Sequence, residues 1–148
     1  MQKRGSSLTD LARNEARFIA LLYRRMTRVL DRELTPLGLG HGRYVYLFGL
    51  YNKDGLSQQA LADRAGADKA AATRALSRLE ADGFITRRRD DCDRRITRVF
   101  LSQKGRDIQT KLVAAGEVSI AELNSYLDAD QTEQFRSLLE TACGPILD

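Results

Sequence analysis

The sequence predicts a mainly helical fold with one small β-hairpin, formed as a single domain by residues 1–148. Three observations predict it. Apolar residues recur at steps of three and four over most of the chain, a glycine-containing turn joins two short helical segments, and two runs rich in β-branched and aromatic residues flank a polar turn. A chain of this length can bury a core without metal or disulfide bridges, and its two cysteines form no metal-type cluster.

The N-terminal region predicts one long helix over residues 9–35. Its apolar residues follow helical spacing, and they are Leu11, Phe18, Leu22, Met26, Val29 and Leu30. Thr9 or Asp10 can cap the start of the helix, and Pro36 with Gly38 ends it. At a rise of ~1.5 Å per residue the helix would be roughly 40 Å long. Because a compact small domain does not need that length, the broad apolar stripe predicts a partner surface.

Three further helices follow in the middle of the chain. Residues 42–52 form an apolar helix that ends in a polar turn. Ser57 is suited to cap a short third helix, and Gly66 closes it in the left-handed conformation. Asp68 then caps a fourth helix, which Gly83 closes.

A β-hairpin is expected next, because residues 84–89 and 96–101 are strand-like and the turn between them is polar. Ser102 caps a fifth helix over about 103–127. The sixth and last helix covers about 131–143. Its expected capping residues are Asp130 and, three positions later, Glu133.

Residues 58–77 have the features of a helix-turn-helix unit: a short helix, a tight turn with Gly66, and a second helix that crosses the first at small residues. On the second helix one arc is apolar and consists of Ala72, Ala75, Leu76 and Leu79. The opposite face carries Lys69, Ala70, Thr73, Arg74, Ser77 and Arg78. A basic face with hydroxyl groups, and with small alanine near its N-terminal end, suits the major groove of DNA. The alternative is a solvated, alanine-rich helix.

The hairpin makes DNA the favoured partner, because a helix-turn-helix followed by a basic hairpin is a winged helix. Six arginines lie within residues 87–98, and a phosphate backbone would relieve their mutual repulsion through counterion release. Residues 56–106 contain 12 basic and 7 acidic side chains, whereas residues 107–148 contain 2 basic and 8 acidic ones. Residues 1–55 contain 10 basic and 5 acidic side chains, so the basic excess lies in the first two thirds of the chain and the last third is acidic.

The sequence resembles a known protein family. The run from Ala67 to Arg87 resembles the recognition helix and first wing strand of the MarR family of bacterial transcriptional regulators. The Asp93-Arg94-Arg95 triplet and the run from Val99 to Arg106 are similar to the wing signature and to the start of the next helix, with Ser102 in place of the usual Thr. The resemblance covers nearly the whole chain. It implies a sequence-specific DNA-binding regulator. We expect a repressor that responds to a ligand and binds a pseudo-palindromic operator as a homodimer.

The expected DNA contacts combine the helical face with the wing: Ser57, Gln58, Lys69, Ala70, Ala71, Thr73, Arg74, Ser77, Arg78, Arg87, Arg94 and Arg95. Within the wing, the family's Asp-x-Arg pattern maps onto Asp93 and Arg95. Asp93 is expected to hold the turn in shape by accepting hydrogen bonds from turn amides or from a guanidinium. Arg95 is expected to enter the minor groove, since its planar, weakly hydrated group suits a narrow groove.

The resemblance also implies that helices from both chain ends, 9–35 and 103–148, form the dimer interface. The chain ends are independently more apolar than a lone winged helix can cover, and the expected interface residues are Leu11, Phe18, Phe135, Leu138, Leu139, Ala142, Ile146 and Leu147. Between these helices and the DNA-binding lobe the family implies a pocket for a small aromatic or phenolic effector. Its candidate lining is Arg17, Tyr23, Arg24, His41, Tyr44 and Phe48. The alternatives remain that Tyr44 and Phe48 are ordinary core residues and that His41 is a turn residue or cap.

Other classes are disfavoured. With one histidine, no phosphate-binding loop and no cluster of metal ligands, an enzyme is not expected, nor is a cofactor or a metal. The longest apolar run has six residues, Phe18 to Tyr23, and the N-terminus lacks signal-type features, so we expect a cytoplasmic protein with no membrane partner. The remaining alternative is a winged helix that binds RNA or docks on a protein without reading DNA sequence.

Overall fold

The structure, a computed structural model, describes residues 14–40 and 42–144. Within them lie seven α-helices, one short 3-10 turn at Thr35–Leu37 and one antiparallel hairpin. The helices are α1 (Glu15–Leu34), α2 (Tyr44–Asn52), α3 (Gln58–Arg64), α4 (Lys69–Ala81), α5 (Gln103–Asp107), α6 (Gln109–Asn124) and α7 (Ala129–Cys143). The strands are β1 (Ile85–Arg89) and β2 (Thr97–Leu101). This order confirms the predicted fold class.

Three predicted helix caps are confirmed. The side chains of Ser57, Asp68 and Ser102 each accept a hydrogen bond from the backbone N–H three residues later, at 3.1, 2.7 and 3.0 Å. Each satisfies one of the N–H groups that the first turn of a helix leaves without a partner. Gly66 adopts a left-handed φ of 60°, as expected for the turn between α3 and α4.

Several predicted helix boundaries are wrong; helix α2, for example, begins at Tyr44 rather than at residue 42. Helix α1 begins at Glu15 rather than at residue 9, because Asn14 has an extended backbone and its side chain accepts from the N–H of Arg17 at 2.9 Å. The predicted caps Thr9 and Asp10 lie outside the described residues. Helix α7 begins two residues earlier than expected, since Asp128 rather than Asp130 is the cap.

At the start of α7, Asp128 and Gln131 cap each other's backbone N–H groups. Asp128 accepts from the N–H of Gln131 at 2.8 Å, and the Gln131 side chain accepts from the N–H of Asp128 at 3.0 Å. This capping box satisfies two backbone groups at once. Asp130 instead lies in the first turn, where its charge complements the helix dipole. The predicted fifth helix is divided at Ile108, whose ψ of −7° leaves the helical range and separates α5 from α6.

The core joins the helix-turn-helix unit to the hairpin. Its fully buried side chains include Leu34, Leu39, Leu47, Leu50, Leu61, Leu76, Leu79, Phe84, Ile85, Val99 and Leu112. The predicted apolar arc of α4 faces this core: Ala72, Leu76 and Leu79 are fully buried. Val99 also donates its N–H to the carbonyl of Leu56 at 2.9 Å, so the segment before α3 lies along the hairpin and fixes the wing beside α3.

Helices α1 and α6 pack against each other, and both contribute buried residues to the same core. The buried hydroxyl of Ser119 donates to the carbonyl of Met26 at 3.1 Å, and Arg25 forms a salt bridge with Glu122 at 2.9 Å. Helix α7 differs from the others, because none of its residues is buried. Among the described residues, the helices are all too short or too polar to cross a membrane.

Candidate DNA-binding interface

Helix α4 presents the predicted polar face to solvent. Lys69, Ala70, Arg74, Ser77 and Arg78 are exposed, and Ala71 and Thr73 are half-buried. Asp68 holds the start of the helix at the N-terminal end of this face. The small alanines next to Lys69 let another molecule approach the backbone closely, as the approach of a helix to base edges requires.

A polar residue of α3 is hydrogen-bonded to a polar residue of this face across the helix-turn-helix unit. The Gln58 amide donates to the Thr73 hydroxyl at 2.8 Å, and that hydroxyl donates to the carbonyl of Lys69 at 2.7 Å. Ser57, besides capping α3, lies beside the second strand through its bridge to Arg98. These contacts fix the relative positions of α3, α4 and the wing.

Arg87 has a different environment from the other predicted contacts. Its guanidinium donates to Glu80 Oε2 through Nε at 3.0 Å and through Nη2 at 2.8 Å, while its backbone N–H donates to Glu80 Oε1 at 2.8 Å. It also bonds to Ser77 at 3.1 Å and reaches Gln58 at 3.5 Å. These bonds lower the pKa of Glu80, because the arginine stabilises its ionised form. Arg87 therefore connects α4 to β1, and its side chain is only 21% exposed.

The wing turn is organised by an aspartate that the sequence reasoning missed. Asp90 Oδ1 accepts the N–H groups of Cys92 and Asp93 at 2.9 and 3.0 Å, and its other oxygen pairs with Arg98. Arg98 in turn donates to the carbonyl of Gly55 at 3.0 Å. The Arg98 bond, followed by the two backbone bonds, lowers the pKa of Asp90 to about 2. The available signal was the first Asp of a polar turn, a position that favours bonds to amides two and three residues later.

Asp93 makes the contacts that we predicted for it. It accepts from the N–H of Arg95 at 3.0 Å and from the guanidinium through Nε and Nη2 at 3.0 and 2.9 Å. The same bonds lower the pKa of Asp93 and raise that of Arg95. The Arg95 side chain is 90% exposed, and Arg94 beside it is exposed as well. The contribution of these residues to DNA binding stays a prediction.

A groove of about 430 Å³ separates the wing from the helix-turn-helix unit. Three cationic side chains line it, Lys69 from α4 and Arg89 and Arg95 from the hairpin, together with the polar Ser57 and Gln58. The groove therefore brings the start of the recognition helix and the wing to one concave, positively charged surface. Such a surface favours the phosphate backbone of a nucleic acid.

A second cavity of about 350 Å³ lies where α1 meets the lobe, and its described lining is Tyr23, Thr27, Asp31, Gly42, Tyr44, Val45 and Ala65. Two predicted effector contacts, Tyr23 and Tyr44, are thus brought together. Burial, with smaller contributions from Tyr23 and Asp31, raises the pKa of the Tyr44 phenol and keeps it protonated.

Three other predicted effector contacts, Arg17, Arg24 and Phe48, do not belong to the described lining. Arg17 and Arg24 are exposed on α1. Phe48 packs edge-to-face on Tyr44 and on Tyr51, with ring centroids 6.1 and 6.5 Å apart, as a core residue does. His41 lies outside the described residues.

The predicted dimer residues that the structure describes are accessible in the single chain. Phe18 is 48% exposed, Leu138 68% and Leu139 37%, Ala142 is exposed, and Phe135 is half-buried. Leu11, Ile146 and Leu147 lie outside the described residues. In the described part of the chain, every exposed large apolar side chain lies on α1, α6, α7 or the turn before α7: Phe18, Ile19, Leu21, Tyr23, Val113, Val118, Ile120, Tyr126, Leu138 and Leu139.

The fold and this basic surface define a winged-helix DNA-binding regulator of transcription, and comparisons with known proteins agree. The model of the MarR family matches residues 39–97. The chain is 30% identical over 123 residues to the uncharacterized HTH-type transcriptional regulator YybA of Bacillus subtilis (strain 168), covering 83% of this chain and 82% of that protein.

Solved structures show the same similarity. A MarR transcriptional regulator from Methanosarcina mazei Go1 superposes with a TM-score of 0.81 at 31% identity, over 86% of this chain and 91% of that one. A mutant MarR from E. coli complexed with operator DNA has the same fold, with a TM-score of 0.82 at 24% identity over 94% and 100% of the two chains. The chain belongs to the MarR family of transcriptional regulators. This confirms the resemblance found in the sequence, and with it the expectation of a regulator rather than an enzyme.

Proposed function

We propose that this protein binds a pseudo-palindromic operator as a homodimer, represses transcription there, and leaves the operator when a small phenolic effector binds. The observation that carries the proposal is the separation of two surfaces. The basic groove belongs to the winged lobe, whereas the exposed apolar side chains belong to α1, α6, α7 and the turn before α7.

For DNA binding, the geometry supports helix α4 in the major groove and the wing against the neighbouring minor groove. Arg74 is exposed in the middle of the polar face, Lys69 lines the groove, and Arg95 extends from the tip of the hairpin. Arg74 is our candidate for reading a base, because a guanidinium can donate two parallel bonds to guanine. Arg87 is bound to Glu80, so we propose that it positions α4 against the wing. A regulator of this kind works where the chromosome is, in the cytoplasm.

For the homodimer, the support is the amphipathic surface of α7. Leu138 is 68% exposed, although α7 also carries polar residues that could have faced solvent in its place. Exposed apolar patches of this kind usually mark an interface. A two-fold dimer would place two α4 helices about 10 base pairs apart on the same side of a duplex.

For the effector, the support is the cavity between α1 and the lobe. Its described lining offers two phenols, the Thr27 hydroxyl and the Asp31 carboxylate, and it contains no basic side chain. These hydroxyl groups can hydrogen-bond a small aromatic or phenolic effector.

Sequencing the genomic fragments that the purified protein retains would identify the operator. Arg74→Ala should then weaken operator binding by roughly 1–3 kcal/mol and relax its sequence preference, with little effect on random duplex. Arg32→Ala on α1 removes one exposed charge outside the helix-turn-helix and the wing and should change neither. Equal losses on both duplexes would make Arg74 a phosphate contact. Preference for single-stranded RNA over duplex DNA at the same salt would favour the alternative RNA-binding function.

The dimer is tested by Leu138→Glu, with Gln134→Glu on the same helix as the control. Since Leu138 is 68% exposed and is not among the described residues that pack against the core, the variant should fold and sediment as a monomer with reduced operator affinity. A dimer of unchanged stability would contradict the proposed interface. Phenol and salicylate serve as probes of the cavity, and binding of either should raise the melting temperature and weaken operator binding.

A further inference from the structure

Arg43 connects the cavity to the far end of the recognition helix. Its Nη1 donates to Asp82 Oδ2 at 2.9 Å, and its Nε donates to the carbonyl of Gly40 at 3.1 Å. The Arg43 side chain is only 16% exposed and that of Asp82 25%, so solvent screens this pair less than a surface ion pair. Asp82 is the residue at which α4 ends.

Asp82 is shared between two arginines. The oxygen that accepts from Arg43 also accepts from Arg78 Nε at 3.1 Å, and Arg78 lies on the polar face of α4 with its side chain 68% exposed. Lys104 donates to the Asp82 carbonyl at 2.7 Å. Because one carboxylate oxygen serves both arginines, a weaker bond to Arg43 leaves more of the carboxylate charge to hold Arg78 back from DNA.

The cavity contacts the chain on both sides of Arg43. Gly42 and Tyr44 line it, and Gly42 has a left-handed φ of 71°. Since consecutive Cα atoms stay about 3.8 Å apart, a displacement of either neighbour moves the backbone of Arg43 and hence its guanidinium.

We propose that Arg43 is a positioning residue for DNA recognition: through Asp82 it sets how freely Arg78 reaches the DNA, and it makes that contact depend on the occupancy of the cavity lined by Tyr23 and Tyr44. The inference rests on the proposed DNA-binding function and adds a route between two of its sites. A filled cavity withdraws Arg43, Asp82 holds Arg78 more tightly, and the operator is released.

The central test is a rescue measured by fluorescence anisotropy on the selected operator. Arg43→Gln should weaken binding roughly 3- to 10-fold. Arg106→Gln, which also removes one charge and one arginine–aspartate pair from the same lobe, should have a smaller effect. Asp82→Asn in the Arg43→Gln background should restore binding to within about twofold of Asp82→Asn alone, because Arg78 is then released.

A control separates this rescue from a change in net charge. Asp63→Asn on α3 neutralises an exposed carboxylate of the same lobe, and in the Arg43→Gln background it should not restore binding. Equal rescue by both asparagine variants, or none by Asp82→Asn, would overturn the proposal. A merely structural role for Arg43 would lower the melting temperature without any rescue of binding.

Two further measurements cover the cavity and the free protein. Thr27→Phe, which fills the cavity, should weaken operator binding in the wild-type background but not in Asp82→Asn, and equal losses in both would refute the route. Hydrogen exchange of the Arg78 Nε–H, followed by NMR without DNA, should slow in Arg43→Gln, and unchanged exchange would refute it as well. Slowed exchange in a protein that binds no operator would instead refute the proposed function and leave the Arg43–Asp82–Arg78 contact supported.

Discussion

The pairing of Glu80 with Arg87 offers a sharp test of how the recognition helix is held against the wing. In Glu80→Gln the carboxylate, which accepts three hydrogen bonds from Arg87 at 2.8–3.0 Å, becomes an amide with a single acceptor oxygen. Hydrogen bonds of this kind, to a charged group, contribute about 1.5–3 kcal/mol to the stability of the fold when solvent does not reach them. Because the Glu80 side chain is 37% exposed, solvent replaces part of that contribution.

We therefore expect Glu80→Gln to lower the free energy of unfolding by about 1 kcal/mol, and the melting temperature by roughly 2–4 °C for a chain of this size. Arg87 holds the pKa of Glu80 below its ordinary value of 4.5. The stabilisation is then present above that value and is lost as the pH falls through the lowered pKa. The difference between wild type and variant should accordingly shrink in acid. Glu133→Gln, which disrupts an exposed pair on α7, should leave stability nearly unchanged.

The functional assay uses the double variant. If Arg87 positions α4, then Glu80→Gln and Arg87→Ala should each weaken operator binding, and together they should cost no more than the larger single loss. If Arg87 instead contacts DNA, Glu80→Gln would release it and strengthen binding. Arg87→Ala would then weaken operator binding further in the Glu80→Gln background. Either of those results would refute the positioning role.

Further variants test the wing, the packing of α5 against Phe84, and the dimer interface. Arg95→Lys should weaken operator binding if the guanidinium enters a narrow minor groove, whereas near-wild-type affinity would reduce Arg95 to diffuse charge. Asp93→Ala should also weaken binding, although it removes a negative charge; tighter binding at fixed salt would contradict the shaped wing. Gly105→Ala should destabilise the fold by at least ~1 kcal/mol in chemical denaturation, because its Cβ would overlap the Phe84 carbonyl oxygen. Deleting residues 131–148 should give a monomeric or insoluble product with little DNA affinity, and a truncated chain that still sediments as a dimer would place the interface elsewhere.

The helices of the winged lobe can be predicted from the sequence alone, because their signals are local. The caps at Ser57, Asp68 and Ser102 act over three residues, and a glycine is needed where Gly66 has a positive φ. The apolar arc of α4 likewise follows from helical periodicity, and its burial agrees with the pattern. Local signals failed where two caps competed, as at Asp128 and Asp130, because each choice is locally acceptable.

How each arginine is paired and how far it is exposed follows from the tertiary structure alone. Arg87 and Arg95 look alike in a run of wing arginines. The side chain of Arg87 lies against Glu80 of the preceding helix and is 21% exposed, whereas that of Arg95 pairs with the neighbouring Asp93 and is 90% exposed. Arg43 and Asp82 are 39 residues apart, and no periodicity predicts that they meet. The strength of an ion pair depends on the distance between its two charges and on their solvent exposure in the folded chain. Packing sets both quantities, so the sequence predicted where positive charge is concentrated and the fold determined how much of it remains free to bind DNA.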